Sequence, residues 1–117
     1  MTPRVAFVTG GAQGIGGGIS ETLAAHGFRV AVADLNLDAA KETAARIVAA
    51  GGNAIPVSVD VTDTDSVRAA VADVTGELGD IEVAVNNAGW DDFMPFVKTD
   101  EDFWNKILDI NFKGALR

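Results

Sequence analysis

Val5-Ala-Phe-Val8-Thr9-Gly10-Gly11-Ala12-Gln13-Gly14-Ile15-Gly16 carries a short apolar run straight into a glycine-rich turn. Val5–Val8 reads as a buried strand, bounded by turn residues. A helix is expected from about Gly14 to His26, with Gly27 as its left-handed cap. His26 falls in the last turn, where a cation suits the helix dipole, so it is assigned to capping. Within the turn, Gly10 permits a tight bend, Gly14 lets backbone approach a phosphate, and Gly16 lets helix pack close to sheet. Free N–H groups at the helix start favour an anion there.

Working outward, the same alternation continues. Arg29–Ala33 reads as a second strand, and Asn36 as the N-cap of a helix over Leu37–Ala50 that Gly51-Gly52 closes. Ala54–Val59 is the third strand, and Pro56 within it asks for a sheet edge because proline cannot donate to a ladder. Thr62 or Asp63 caps a helix to about Leu78, followed by Gly79 and a fourth strand, Ile81–Val85. After a loop, Thr99-Asp-Glu-Asp102 has capping-box spacing and opens a last helix expected to run to the terminus. Strands separated by helices of this length imply right-handed crossovers and a parallel sheet. The expected architecture is α/β, a partial doubly wound Rossmann-type sheet in three α/β/α layers with strand order 3-2-1-4. One domain, 1–117, is expected, continuing past its last helix. Arg117 follows Leu116 with no stop signal, and the apolar fourth strand would be left as an edge.

Composition narrows the function classes. Of 117 residues, 48% are hydrophobic and 22% charged, which is a globular balance. The net charge of −8, with only nine Lys plus Arg, argues against nucleic acid and anionic membrane as partners. No cysteine is present, which excludes disulfides and thiolate chemistry and fits a reducing, cytoplasmic setting. The early apolar run is too short for a signal-peptide core or a membrane span. The acids between Asp60 and Asp65 lack the calcium-loop spacing and its central glycine, so no metal is expected.

Asp34 stands at the end of the second strand, where a carboxylate can accept hydrogen bonds from the ribose hydroxyls of an adenine dinucleotide. A 2′-phosphate there would meet a like charge, and neither Leu35 nor Asn36 offers a compensating cation. The reading is therefore NAD, with NADP disfavoured. A methyltransferase could also use an acid here, but the remaining motifs point elsewhere.

Thr9-Gly10 through Gly14-Ile15-Gly16 has the TGxxxGxG spacing of the short-chain dehydrogenase/reductase family. Asp60-Val61 resembles the family pair at the adenine ring, Asn86-Asn87-Ala88-Gly89 resembles its NNAG motif, and Asn111 resembles the Asn of its catalytic Asn-Ser-Tyr-Lys set. The resemblance implies cofactor binding by Gly10, Gln13, Gly14, Ile15, Gly16, Asp34, Leu35, Asp60, Val61, Asn86, Ala88 and Gly89. It assigns Asn111 to hold a water in a proton relay. Asn86 and Asn87, whose amides both donate and accept, could equally tie adjacent strands together. Trp90–Phe96 is either a substrate mouth or a hydrophobic lid on the last helix. With Asn87–Trp90, Pro95-Phe96 and Trp104, it resembles the 2-hydroxycyclohexanecarboxyl-CoA dehydrogenases of that family.

The family's Ser and Tyr-x-x-x-Lys would lie beyond Asn111, and this chain has no tyrosine. The resemblance thus implies an NAD(H)-binding half of an oxidoreductase that passes hydride between NAD and an alcohol or ketone. The 117-residue chain alone is expected to be inactive. A small-molecule substrate and a homo-oligomer are implied only for a full-length form. The alternative from another class is a free-standing NAD-binding or interaction module without catalysis.

Overall fold

The structure, a computed structural model, describes residues 2–117. Four strands, β1 (Val5–Thr9), β2 (Arg29–Asp34), β3 (Asn53–Ser58) and β4 (Ile81–Val85), alternate with helices α1 (Gly14–Ala25), α2 (Leu37–Ala49) and α3 (Thr64–Leu78). All strand pairs are parallel and the order is β3-β2-β1-β4, as expected. Pro56 lies on the edge strand β3, where its missing N–H costs no ladder bond on the outer side.

The central strands β1 and β2 are covered on both faces, which explains their unbroken apolar runs. Every residue of β1 is buried. On one face Val8, Val30 and Val32 pack against Ala24 of α1 and Ala40, Ala44 and Ile47 of α2. On the other, Phe7, Ala31, Ala33 and Val57 pack against Ala70, Val74 and Leu78 of α3. Fully burying each valine or leucine stabilises the fold by about 1.5–3 kcal/mol. The alanines of α2 add little area but let its axis lie close to the sheet.

Helix ends mostly follow the sequence punctuation. Asn36 accepts from Ala39 N–H at 3.1 Å, and Asp63, of the two candidate caps, accepts from Asp65 N–H at 2.9 Å. Gly27 and Gly51 take φ of 91° and 92°, the left-handed region open to glycine. His26 is the C-cap of α1, its Nδ1 2.9 Å from the Thr22 carbonyl. The third strand is shifted by one residue from the expected Ala54–Val59.

The C-terminal region corrects one expectation and refines another. The last helix is capped by Asp100, not Thr99: Asp100 Oδ1 accepts from Phe103 N–H at 2.9 Å. Thr99 is occupied otherwise, donating to the Phe96 carbonyl and accepting from Trp104 Nε1 at 2.7 Å. The helix runs on to Leu116 as expected but changes winding on the way. Helix α4 (Glu101–Leu108) gives way to a π-turn at Asp109–Lys113, then to the short α5 (Gly114–Leu116). The wider turn re-aims the side chains that follow Leu108. No residue of α4 or β4 is buried, so Phe103, Ile107 and Ile110 are only part-covered. No described helix is long and apolar enough to cross a membrane.

Candidate functional site

The carboxyl ends of β1, β2, β3 and β4 meet around one cleft of about 450 Å³. Gly10, Gln13, Asp34, Leu35, Asp60, Val61, Ala88 and Gly89 line it, joined by Val59, Thr62, Asn87, Trp90, Lys106 and Ile110. Its size lies in the range of small-ligand pockets. Four of the twelve predicted cofactor residues are not in its lining: Gly14 and Gly16, at the start of α1, and Asn86 and Ile15. Asn86 lines a separate apolar cleft on the α3 side with Gly114 and Leu116, and the Ile15 side chain faces a shallow surface beside Ile19 and Thr22.

The glycine turn is held by side chains behind it. Gly10 and Gly14 take φ of 61° and 55°, so both need glycine. Gly14 is also open to the outside, since a Cβ there would meet nothing within 4 Å. Gly16 is closed: a Cβ would overlap the Gly10 carbonyl and Asn87 Nδ2. Its role is thus to let α1 press on the turn itself rather than on the sheet. Ser20 Oγ donates to the Gly11 carbonyl at 2.9 Å and Thr43 Oγ1 to the Ala12 carbonyl at 2.6 Å, both from buried positions. These bonds pull the carbonyls inward. Gln13 gives the helix no side-chain cap, and the first helical bond is Gly17 N–H to Gln13 O. The N–H groups of the first turn therefore have no intrahelical or side-chain cap partner, and such a helix start can receive an anion.

Asp34 closes the turn from the second strand. Its Oδ2 accepts from Ala12 N–H at 3.2 Å and its Oδ1 from Asn36 N–H at 3.0 Å. A carboxylate has further lone pairs, so two ligand hydroxyls can still be received. Leu35, beside it, lines the cleft while 73% exposed. Asp60 is held ionised: the Thr62 hydroxyl, at 2.6 Å, is the main cause lowering its pKa, followed by Thr62 N–H at 2.9 Å. Partial burial opposes that shift, and Arg117 adds to it.

The NNAG segment divides its labour. Asn87, rather than Asn86, does the tying: its Nδ2 donates to the Thr9 and Gly10 carbonyls, both at 3.1 Å. Asn87 N–H and Ala88 N–H both donate to Thr9 Oγ1, which donates on to the Val85 carbonyl. Sequence reasoning left Thr9 and Asn87 out of the site; their signal was position, one residue to either side of assigned glycine and asparagine. Ser20 and Thr43 had a weaker one, polar residues on otherwise apolar helix faces.

Asn111 sits in the π-turn and ties the loop after β4 to the last helix. Its Nδ2 donates to the Trp90 carbonyl at 2.7 Å and the Ile107 carbonyl at 3.0 Å, and its Oδ1 accepts from Trp90 N–H at 3.0 Å. Both side-chain donors are thus spent on backbone. Gly89 permits this approach, since a Cβ there would stand 2.8 Å from Asn111 Oδ1. Trp90 is further held edge-on to Phe103, and Lys106 Nζ lies 3.8 Å from its ring centroid. Both ends of Trp90–Phe96 therefore pack on the last helix, Phe96 by stacking on Trp104 with ring centroids 6.0 Å apart, while the Phe93 side chain between them is exposed.

A sequence model of the short chain dehydrogenase family matches residues 4–117. The chain is 46% identical over 110 residues to an L-2,3-butanediol dehydrogenase of Corynebacterium glutamicum, covering 92% of this chain and 43% of that one. It is 39% identical over 113 residues to a sorbitol dehydrogenase of Cereibacter sphaeroides, covering 97% and 43%. A solved short-chain dehydrogenase structure from Novosphingobium aromaticivorans superposes with a TM-score of 0.91 at 33% identity, covering 97% of this chain and 42% of that one. The chain thus spans less than half the length of these relatives.

Proposed function

We propose, because this chain belongs to the short chain dehydrogenase family, that it is the NAD(H)-binding part of an oxidoreductase acting on an alcohol or ketone. The observation that carries the proposal is the convergence of the uncapped α1 N-terminus and the Asp34 carboxylate on one cleft. The first suits a pyrophosphate; the second suits ribose hydroxyls and repels a 2′-phosphate. The residues fit the dinucleotide: Gly14 leaves room beside the helix start, and Leu35, Val61 and Ile110 give apolar surface for an adenine ring.

When bound, the nicotinamide ring supplies the hydride acceptor or donor. This chain's residues hold and orient it. Asp34 and the α1 N–H groups fix the adenosine and pyrophosphate, while Ala88 and Gly89 offer backbone along the cleft floor. Asn111 holds the Trp90 loop at the mouth. The named relatives are dehydrogenases of 2,3-butanediol and sorbitol, and a vicinal diol or polyol is the substrate class proposed for the full-length form. With no tyrosine in the chain, the acid/base step at the substrate oxygen has no donor here, and the 117-residue chain is proposed to bind without turning over.

Equilibrium titration of the chain with NAD+ and NADP+, read by tryptophan fluorescence and calorimetry, tests the proposal. Saturable NAD+ binding with much weaker NADP+ binding is expected. Equal affinity for both would remove the Asp34 argument, and no binding of either would remove the function.

A further inference from the structure

The Arg117 guanidinium reaches three acceptors on two chain segments. Its Nη1 donates to the Val61 carbonyl at 2.8 Å and to the Asp109 carbonyl at 3.2 Å, and its Nη2 to Asp109 Oδ1 at 2.6 Å. The Arg117 side chain is only 19% exposed. One guanidinium therefore joins the loop after β3, which carries Asp60 and Val61, to the start of the π-turn, which carries Asn111. Gly114 brings the two segments together, since a Cβ there would stand 2.9 Å from Val61 Cγ2. The Asp109 carboxylate fixes the orientation of the fork, and the fork satisfies backbone oxygens on both segments.

We infer that Arg117, oriented by Asp109, is a positioning residue for the adenine end of the cleft, setting Asp60-Val61 against the last helix. The inference rests on the dinucleotide reading above. Arg117 lines the α3-side cleft and not the ligand cleft, so it acts through Val61 and not by touching the ligand. Ile110, within the same π-turn, lines the ligand cleft together with Val61. Loosening the Arg117 fork would let these two apolar walls move apart. The loss should therefore fall on any ligand that carries the adenosine part, whether or not nicotinamide is attached.

The test titrates the full chain with AMP, ADP-ribose and NAD+, comparing wild type with Arg117→Met, Arg117→Lys and Asp109→Asn and recording melting curves alongside. Met keeps the apolar stem and removes the fork. It should weaken all three ligands by a common factor of about tenfold, the scale of a lost charged hydrogen-bond set. Lys can reach one oxygen at a time and should recover part of that factor. Asp109→Asn, which keeps a neutral acceptor, should weaken binding less than Met does. Unchanged AMP affinity in folded Arg117→Met would overturn the inference while leaving the NAD reading intact. So would a loss seen with NAD+ and absent with AMP. Unfolding of both Arg117→Met and Asp109→Asn would make the pair a folding element and overturn the inference as well. A wild-type chain that binds none of the ligands would overturn the dinucleotide reading and this inference together.

Discussion

Asn87 and Thr9 hold each other from both ends: Asn87 N–H donates to Thr9 Oγ1 at 3.1 Å while Asn87 Nδ2 returns to the Thr9 carbonyl at 3.1 Å. The reciprocal pair joins the ends of β1 and β4 below the ligand cleft. The second Asn87 bond, to the Gly10 carbonyl, sets the first bend of the glycine turn. Replacing Asn87 by Ala leaves the Thr9 and Gly10 carbonyls without this partner in a part-buried position. Stability should fall by about 1–3 kcal/mol, the cost of unsatisfied buried polar groups. Urea denaturation of Asn87→Ala against wild type checks this, and NAD+ affinity should fall with it because the turn loses its anchor.

Gly16→Ala should be more damaging to the site than Gly18→Ala, half a helical turn away. The added methyl at Gly16 collides with backbone at Gly10, whereas at Gly18 it meets nothing within 4 Å. Overpacking against backbone costs about 1–3 kcal/mol. Gly18→Ala should instead leave binding intact and hold or raise stability, by helix propensity of up to about 1 kcal/mol. Parallel melting curves and NAD+ titrations of the two variants separate packing from propensity.

Asp34→Ala should erode the preference for NAD+ over NADP+. It removes the acceptor for ribose hydroxyls and the charge that opposes a 2′-phosphate. Hydrogen bonds to a charged group are worth about 1.5–3 kcal/mol, so NAD+ should weaken roughly 10- to 150-fold. NADP+ should weaken less or gain. The variant also frees Ala12 N–H and Asn36 N–H, which the carboxylate now receives, so part of the NAD+ loss will come from a looser turn. The ratio of the two dissociation constants cancels that shared part and is the quantity to measure.

The sheet and its order were legible because strand runs, glycine stops and helix caps recur in step, and Pro56 marked its own edge. The positions of the glycine turn and Asp34 at one cleft were legible because each follows or ends a strand of a parallel sheet. What the sequence hid is contact made across long separations. Ser20 and Thr43 give no local sign that they bond turn carbonyls, and nothing in the order Asn86-Asn87 says which amide turns inward. The π-turn was hidden too, since its wider ring has no residue preference of its own and an intact helix was the simpler reading. The cap at Asp100 was missed by one position because Thr99 and Asp100 are both good caps, and only the Trp104 indole decides that Thr99 is used elsewhere.

Asp60 should give the chain an acid-sensitive component of stability. The Thr62 hydroxyl and N–H, and to a lesser degree Arg117, favour its ionised form, so its folded pKa lies below the unfolded value. An acid with a lowered folded pKa stabilises the fold fully above its unfolded value, about 3.9, and loses that contribution as pH falls through the folded value. Between neutral pH and about 5, Asp60→Asn should therefore be less stable than wild type by a constant amount. Below about 4 the gap should close, because wild type is then losing what the variant never had. Denaturant midpoints from pH 7 down to the acid transition check both limbs. A gap that persisted unchanged at the lowest pH would mean that the amide of the Asp60→Asn variant fails to reproduce the neutral hydrogen bonds, and that the ionised state of Asp60 is not what holds the loop before α3.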